Sequence, residues 1–97
     1  MANMDLLPKW IMKRYLILWN SVGKSEFDLD LAVKSLSKMK KPDERKMVIL
    51  VLSELRKNGW LETRFDPDDA RKHLYKLLPY EDIFNEIVNK NLKEDVS

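Results

Sequence analysis

The stretch Val48–Pro79, VILVLSELRKNGWLETRFDPDDARKHLYKLLP, decides the fold. Val48, Val51, Leu52 and Leu55 recur at three-to-four spacing, which puts them on one face of a helix. Gly59 stops that helix, because glycine enters the left-handed region without steric cost. Trp60 to Phe65 then reads as a strand. Asp66-Pro67-Asp68-Asp69-Ala70 is a turn, with Pro67 fixing φ and the aspartates able to bond local N–H groups. Arg71 to Leu78 is a second strand, with Leu74 on one side and Tyr75 on the other, and Pro79 ends it. This order of helix, glycine stop and charged ribbon places Arg64 and Arg71 near one exposed tip.

Working outward, the helix before Gly59 is expected to start at Pro42, a residue that the first helical position tolerates, and to end at about Asn58. Asp43 and Glu44 then complement the positive end of its dipole. Lys38-Met39-Lys40-Lys41 forms the turn before it. A short helix, Leu29 to Ser37, precedes the turn, with Leu29, Ala32, Val33 and Leu36 on one face and Asp28 as its N-cap. Ser25-Glu26-Phe27 suits a small strand. The first helix runs from Pro8 to about Ser21 and is closed by Gly23. Its stripe is Ile11, Tyr15, Leu18 and Val22, and Trp10, Ile17 and Trp19 make it apolar around most of its circumference. Such a helix is either central to the core or committed to a partner. Beyond Pro79 an amphipathic helix from about Glu81 to Leu92 shows Ile83, Phe84, Ile87, Val88 and Leu92 on one side.

The expected fold class is therefore mainly α with a small β-ribbon: a three-helix core, a two-stranded wing and an extra C-terminal helix. Residues 1–79 form the domain, and 80–97 form a helix used for packing or dimerisation. A plain helical bundle or an unrelated α+β domain leaves the Gly59 stop and the alternating ribbon less well explained.

Ninety-seven residues, 44% hydrophobic and 35% charged, make one folded domain with a modest core. With no cysteine, disulfides and thiolate metal sites are excluded, and the compartment leans to the cytoplasm. No apolar run approaches the roughly 18 residues of a membrane helix. Lys9, Lys13 and Arg14 interrupt any signal-peptide pattern. His73 is the one histidine and is expected on the surface of the ribbon. The sequence shows no nucleophile–base pair, phosphate-cradling glycine loop or metal-ligand spacing. Asp66, Asp68 and Asp69 lack the glycine and distal Glu of a calcium loop. Neither an enzyme nor a cofactor or metal is expected.

The net charge of +2 conceals an uneven distribution. Lys34 to Lys57 holds eight basic residues against three acids, whereas Tyr80 to Ser97 holds five acids against two lysines. A basic middle suits an anionic partner. Solvated helix faces rich in Lys and Glu give the same composition.

In Leu55, Gly59, Trp60 and Leu61 at the end of the helix, and then in Arg64, Asp66-Pro67-Asp68-Asp69, Arg71 and Leu74-Tyr75-Lys76-Leu77, the chain resembles winged helix-turn-helix DNA-binding domains. The wing is most similar to that of the MarR-type multiple-antibiotic-resistance regulators, and the likeness extends loosely over Leu7–Pro79. It implies that Arg71 reaches a minor groove or phosphate from the wing, braced by Asp69, with Arg64 across the ribbon. A simple solvated hairpin turn would use the same residues. Full MarR-type regulators are longer, with dimerisation helices at both ends. The sequence fits a small regulator or the N-terminal domain of a larger protein.

Aligned on Gly59, the groove-facing positions of the resembling helix are Glu44, Arg45, Lys46, Ile49 and Leu50. Arg45 and Lys46 suit DNA. Ile49 and Leu50 do not hydrogen-bond to base edges, although they suit a thymine methyl. Glu44 repels phosphate unless it meets a cytosine amino group. The apolar excess in Met47–Leu52 packs inside the domain or on a partner. Trp60 either stacks on a base or sugar or packs over the sheet edge.

The expected function is thus a DNA-binding transcription regulator of moderate sequence preference, acting on double-stranded DNA as a homodimer. Its contact residues are Lys34, Lys38, Lys40, Lys41, Arg45, Lys46, Arg64, Arg71 and Lys72. Its dimer or partner surface is Trp10, Ile49, Leu50, Ile83, Phe84, Ile87 and Val88. The alternative is a winged helix that docks a protein partner, alone or within a larger complex.

Overall fold

The computed structural model describes residues 7–96. Residues 1–6 of the expected domain, and the Leu92 side chain, lie outside what is described. Four helices and one antiparallel ribbon follow in the order α1 (Lys9–Val22), α2 (Leu29–Leu36), α3 (Arg45–Lys57), β1 (Leu61–Asp66), β2 (Asp69–Leu77) and α4 (Tyr80–Val96). This is a winged helix: three packed helices, a two-stranded wing and one further helix.

The helix ends follow local chemistry. Asp28 Oδ1 accepts the Leu31 N–H at 2.8 Å and caps α2. Gly23, at φ 55°, closes α1 by donating its N–H to Trp19 O at 2.8 Å. After α3, Gly59 at φ 83° turns the chain so that the Trp60 N–H reaches Leu55 O at 2.8 Å. The ribbon pairs Leu61 with Leu77 and Phe65 with His73, then shifts register so that Asp66 opposes Asp69. That bulge tightens the turn to Pro67-Asp68, and Asp66 Oδ1 accepts the Asp68 N–H at 2.8 Å.

Three sequence expectations are corrected here. The helix before Gly59 starts at Arg45 rather than Pro42, with Glu44 as an extended N-cap and no acid in its first turn. Asp43 is held elsewhere: Arg14 Nε and Nη2 donate to its two carboxylate oxygens at 2.6 and 2.8 Å. This bidentate pair, largely shielded from water, ties the entry to α3 onto α1. The strand expected at Ser25–Phe27 is a single bridge, in which Phe27 and Tyr75 exchange backbone bonds at 2.7 and 2.9 Å. The last helix is longer than expected, running from Tyr80 to Val96.

All four residues assigned to the inner face of α3, Val48, Val51, Leu52 and Leu55, are buried. So are Ile11, Tyr15 and Leu18 of α1 and Ala32 and Leu36 of α2. Trp60 packs inward, 4% exposed, with its ring edge-on to Tyr15 at 5.0 Å. The Tyr15 hydroxyl donates to Leu78 O at 2.6 Å, which fastens the end of the ribbon to α1.

Burial pushes the Tyr15 phenol up from 10.0 to about 12, and the neighbouring Tyr80 adds to the shift. An unfolded chain releases this proton near pH 10.0. The native state therefore holds a proton that the unfolded state has lost across that interval. The contribution to stability is complete below pH 10.0 and is lost as pH rises towards 12. The loss is expected to be about 3 kcal/mol. Urea melts through the alkaline range check this. Tyr15→Phe is expected to remove that share of the pH dependence, while costing about 1–2 kcal/mol at neutral pH for the lost bond to Leu78.

Candidate nucleic-acid interface

The segment 26–30 pairs with α3 through Arg45 and with the wing through Arg64 and Lys72, three of the nine expected contact residues. Lys34 of α2, Lys38, Lys40 and Lys41 of the α2–α3 connection, and Lys46 in the first turn of α3 are all exposed. Among the described residues none of these five makes an ion pair. The α2–α3 connection thus carries a cluster of water-facing ammonium groups beside a helix start.

Arg71 lies at the base of the tip turn with 93% of its side chain exposed. Asp69 accepts the Arg71 N–H at 3.1 Å, and its carboxylate stands 3.5 Å from the guanidinium Nε. The wing geometry thus gives Arg71 a carboxylate neighbour and leaves most of its fork to solvent.

Arg64 is not a tip residue. It pairs in register with Leu74, and its Nε and Nη2 donate to Glu26 at 2.6 and 2.8 Å. The Arg64 guanidinium holds the Glu26 carboxyl below the usual carboxylate range. Lys72 is likewise engaged, with Nζ 3.1 Å from Asp28. The Asp28 carboxyl is lowered first by the Leu31 N–H and then by Lys72, whose own pKa Asp28 raises. Arg45 donates to Asp30 at 2.9 Å. Glu26, Asp28 and Asp30 therefore form a comb of alternate acids, each pointed at a different expected contact residue: one on β1, one on β2, one on α3.

Sequence reasoning identified these cations and missed the comb. The signal was the alternation in Glu26-Phe27-Asp28-Leu29-Asp30, read only as a strand and a helix cap. It also passed over Phe65, which is 61% exposed on the ribbon and packs on His73 at 4.8 Å.

The apolar surface residues divide. Ile49 and Leu50 are 49% and 45% exposed on α3, so the excess does not pack inside the domain. Trp10 is 43% exposed, with the Arg14 guanidinium 5.4 Å over its ring. Phe84 is 63% exposed, and Ile87 and Val88 are half-buried. Ile83 is corrected: at 1% exposure it is a core residue, because α4 docks on the body of the domain through that side chain. Between α1 and α4 lies a mostly apolar cleft of about 590 Å³ lined by Met12, Leu16, Trp60, Tyr80, Phe84 and Ile87, among others. No group of acids and His73 among the described residues is arranged to hold a metal. Nor is any described helix long and apolar enough to cross a membrane.

No protein-family model and no curated protein matches the chain. Solved structures do. It aligns with apo MarR from E. coli at a TM-score of 0.57 and 20% identity, over 86% of this chain and 57% of that one. Its fold is the MarR-type winged helix. The winged helix also aligns with BpsR of Bordetella bronchiseptica, solved in a study of how 6-hydroxynicotinic acid regulates its DNA binding. The TM-score there is 0.56 at 21% identity, over 90% and 64% of the two chains. A mutant of S. aureus MepR bound to an oligodeoxyribonucleotide matches at a TM-score of 0.53 and 14% identity, over 95% and 64%. This chain thus spans 57–64% of the length of these three structures.

Proposed function

We propose that this winged helix is the DNA-binding unit of a transcription regulator, with α3 in the major groove and the wing on the flanking backbone or minor groove. The observation that carries the reading is the set of exposed lysines at the α2–α3 connection, which make no ion pair among the described residues, on a fold shared with S. aureus MepR, a mutant of which was solved bound to an oligodeoxyribonucleotide. Lys34, Lys38, Lys40, Lys41 and Lys46 neutralise phosphates, and Arg71 enters the groove beside the wing. Arg45, Arg64 and Lys72 contribute only in so far as the acidic comb releases them. DNA of two-fold symmetry requires two copies. The dimer proposed here uses Phe84 and Ile87, which line the α1–α4 cleft, together with Val88 and Trp10, which lie outside its lining, and a regulator of this kind works in the cytoplasm.

The test is fluorescence anisotropy with a random-sequence duplex at two salt concentrations, beside Arg71→Ala and Lys40→Ala/Lys41→Ala. Binding is expected to weaken steeply with salt, and the slope of log K against log salt is expected to fall by about 0.9 per phosphate contact removed. Absence of binding at low salt would overturn the reading and favour protein docking through Ile49 and Leu50.

A further inference from the structure

The outer face of α3 carries a chemical preference. With Val48, Val51, Leu52 and Leu55 buried, 3.6 residues per turn puts Lys46, Leu50, Ser53 and Lys57 on the opposite side, with Ile49 beside Leu50. In the N-terminal half, which contacts base edges when such a helix enters the major groove, the outward residues are Arg45, Lys46, Ile49 and Leu50. Arg45 already donates to Asp30 at 2.9 Å. The helix holds no Asn or Gln, the side chains that read adenine by two hydrogen bonds. Asn58, just beyond it, spends its side-chain N–H on Glu54 O at 2.8 Å. What remains at the centre is two branched aliphatic side chains, each about half exposed, beside a lysine.

The major-groove edge offers one apolar feature, the C5 methyl of thymine. Against the bare edge of a G·C pair the same aliphatic groups cover donors and acceptors without satisfying them, which is unfavourable. Lys46 and the lysines of the α2–α3 connection supply the charge that holds the helix in an anionic groove. Resting on the DNA-binding reading above, we propose that Ile49 and Leu50 make this domain a reader of C5-methyl groups, so that its preferred ligand is a thymine-rich duplex. Cytosine methylated at C5 presents the same group in the same groove and is bound better than plain cytosine. Selection is by methyl position, with little hydrogen-bond readout.

The experiment uses duplexes of equal length: one A·T-rich, the same with deoxyuridine for every thymidine, one G·C-rich, and that one carrying 5-methylcytosine. Anisotropy is read for the wild type and for Ile49→Ala/Leu50→Ala. These exposed positions keep the helix, since alanine is the best helix former. Removing the methyl groups is expected to weaken binding roughly fourfold per methyl contacted, and 5-methylcytosine to strengthen it equally. Both effects vanish in the double variant while its salt slope stays that of the wild type. Salt-dependent binding to all four duplexes with no methyl preference overturns this inference and leaves the DNA reading standing. A preference that survives in the double variant also overturns it. Failure to bind any duplex overturns both.

Discussion

Trp60→Ala is expected to lower stability by about 4 kcal/mol, measured by urea or thermal unfolding. Trp60 follows the glycine stop of α3, is 4% exposed and lies edge-on to Tyr15 at 5.0 Å. Its backbone also joins α3 to the ribbon: the N–H reaches Leu55 O at 2.8 Å and its carbonyl accepts from Leu78 at 3.1 Å. Truncation removes a large aromatic from the point where α1, α3 and the wing meet, and a rigid core does not collapse to fill the gap. Domains of this size are stable by only about 5–15 kcal/mol, so the variant is expected near the edge of folding at 37 °C. Trp60→Phe keeps an aromatic against Tyr15 and is expected to recover more than half of the loss. A Trp60→Ala protein as stable as the wild type would show that the wing is not anchored through this residue.

That anchor also shows what the sequence could reveal. Val48, Val51, Leu52 and Leu55 were legible because a helix face recurs locally, and Gly59 because a positive φ leaves few other residues a choice. The start of α3 was not legible. Pro42 and two following acids have the local signature of a helix start, but Arg14, 29 positions from Asp43 in sequence, takes that carboxylate and shifts the start to Arg45. Ile83 and Phe84 lie on one amphipathic stripe, yet one is 1% and the other 63% exposed. The docking angle of α4 makes that division, and periodicity does not encode it. In the proposed interface the cations were visible by residue type, and their availability was not. Arg64 and Glu26 lie 38 residues apart in sequence, and Arg45 and Asp30 lie 15 apart. Only the folded arrangement shows which positive charges are already matched.

Removing the acidic comb is expected to strengthen DNA binding on the proposed interface. Glu26, Asp28 and Asp30 each occupy donors of a contact residue, Arg64, Lys72 and Arg45 respectively. Each also brings a negative charge towards a polyanion. Exposed ion pairs of this kind contribute little to folding, so the triple variant Glu26→Gln/Asp28→Asn/Asp30→Asn should fold normally. Asn at position 28 still accepts the Leu31 N–H, because Asn caps helices as well as Asp does. In the variant three cations become free to meet phosphate. Log K against log salt is then expected to steepen by about 2–3, since each neutralised phosphate contributes about 0.9. Affinity at low salt is expected to rise on the order of 100-fold, and the gain should shrink as salt screens it. The comparison with Arg71→Ala is informative, because Arg71 is 93% exposed and already available, so its loss weakens binding in the wild type and the triple variant alike. An unchanged salt slope in a well-folded triple variant would mean that Arg45, Arg64 and Lys72 do not face DNA. The binding surface would then be confined to the lysines of the α2–α3 connection and the wing tip. A steeper slope would mean that the fold holds these three charges in reserve, with its own carboxylates standing where phosphates would bind.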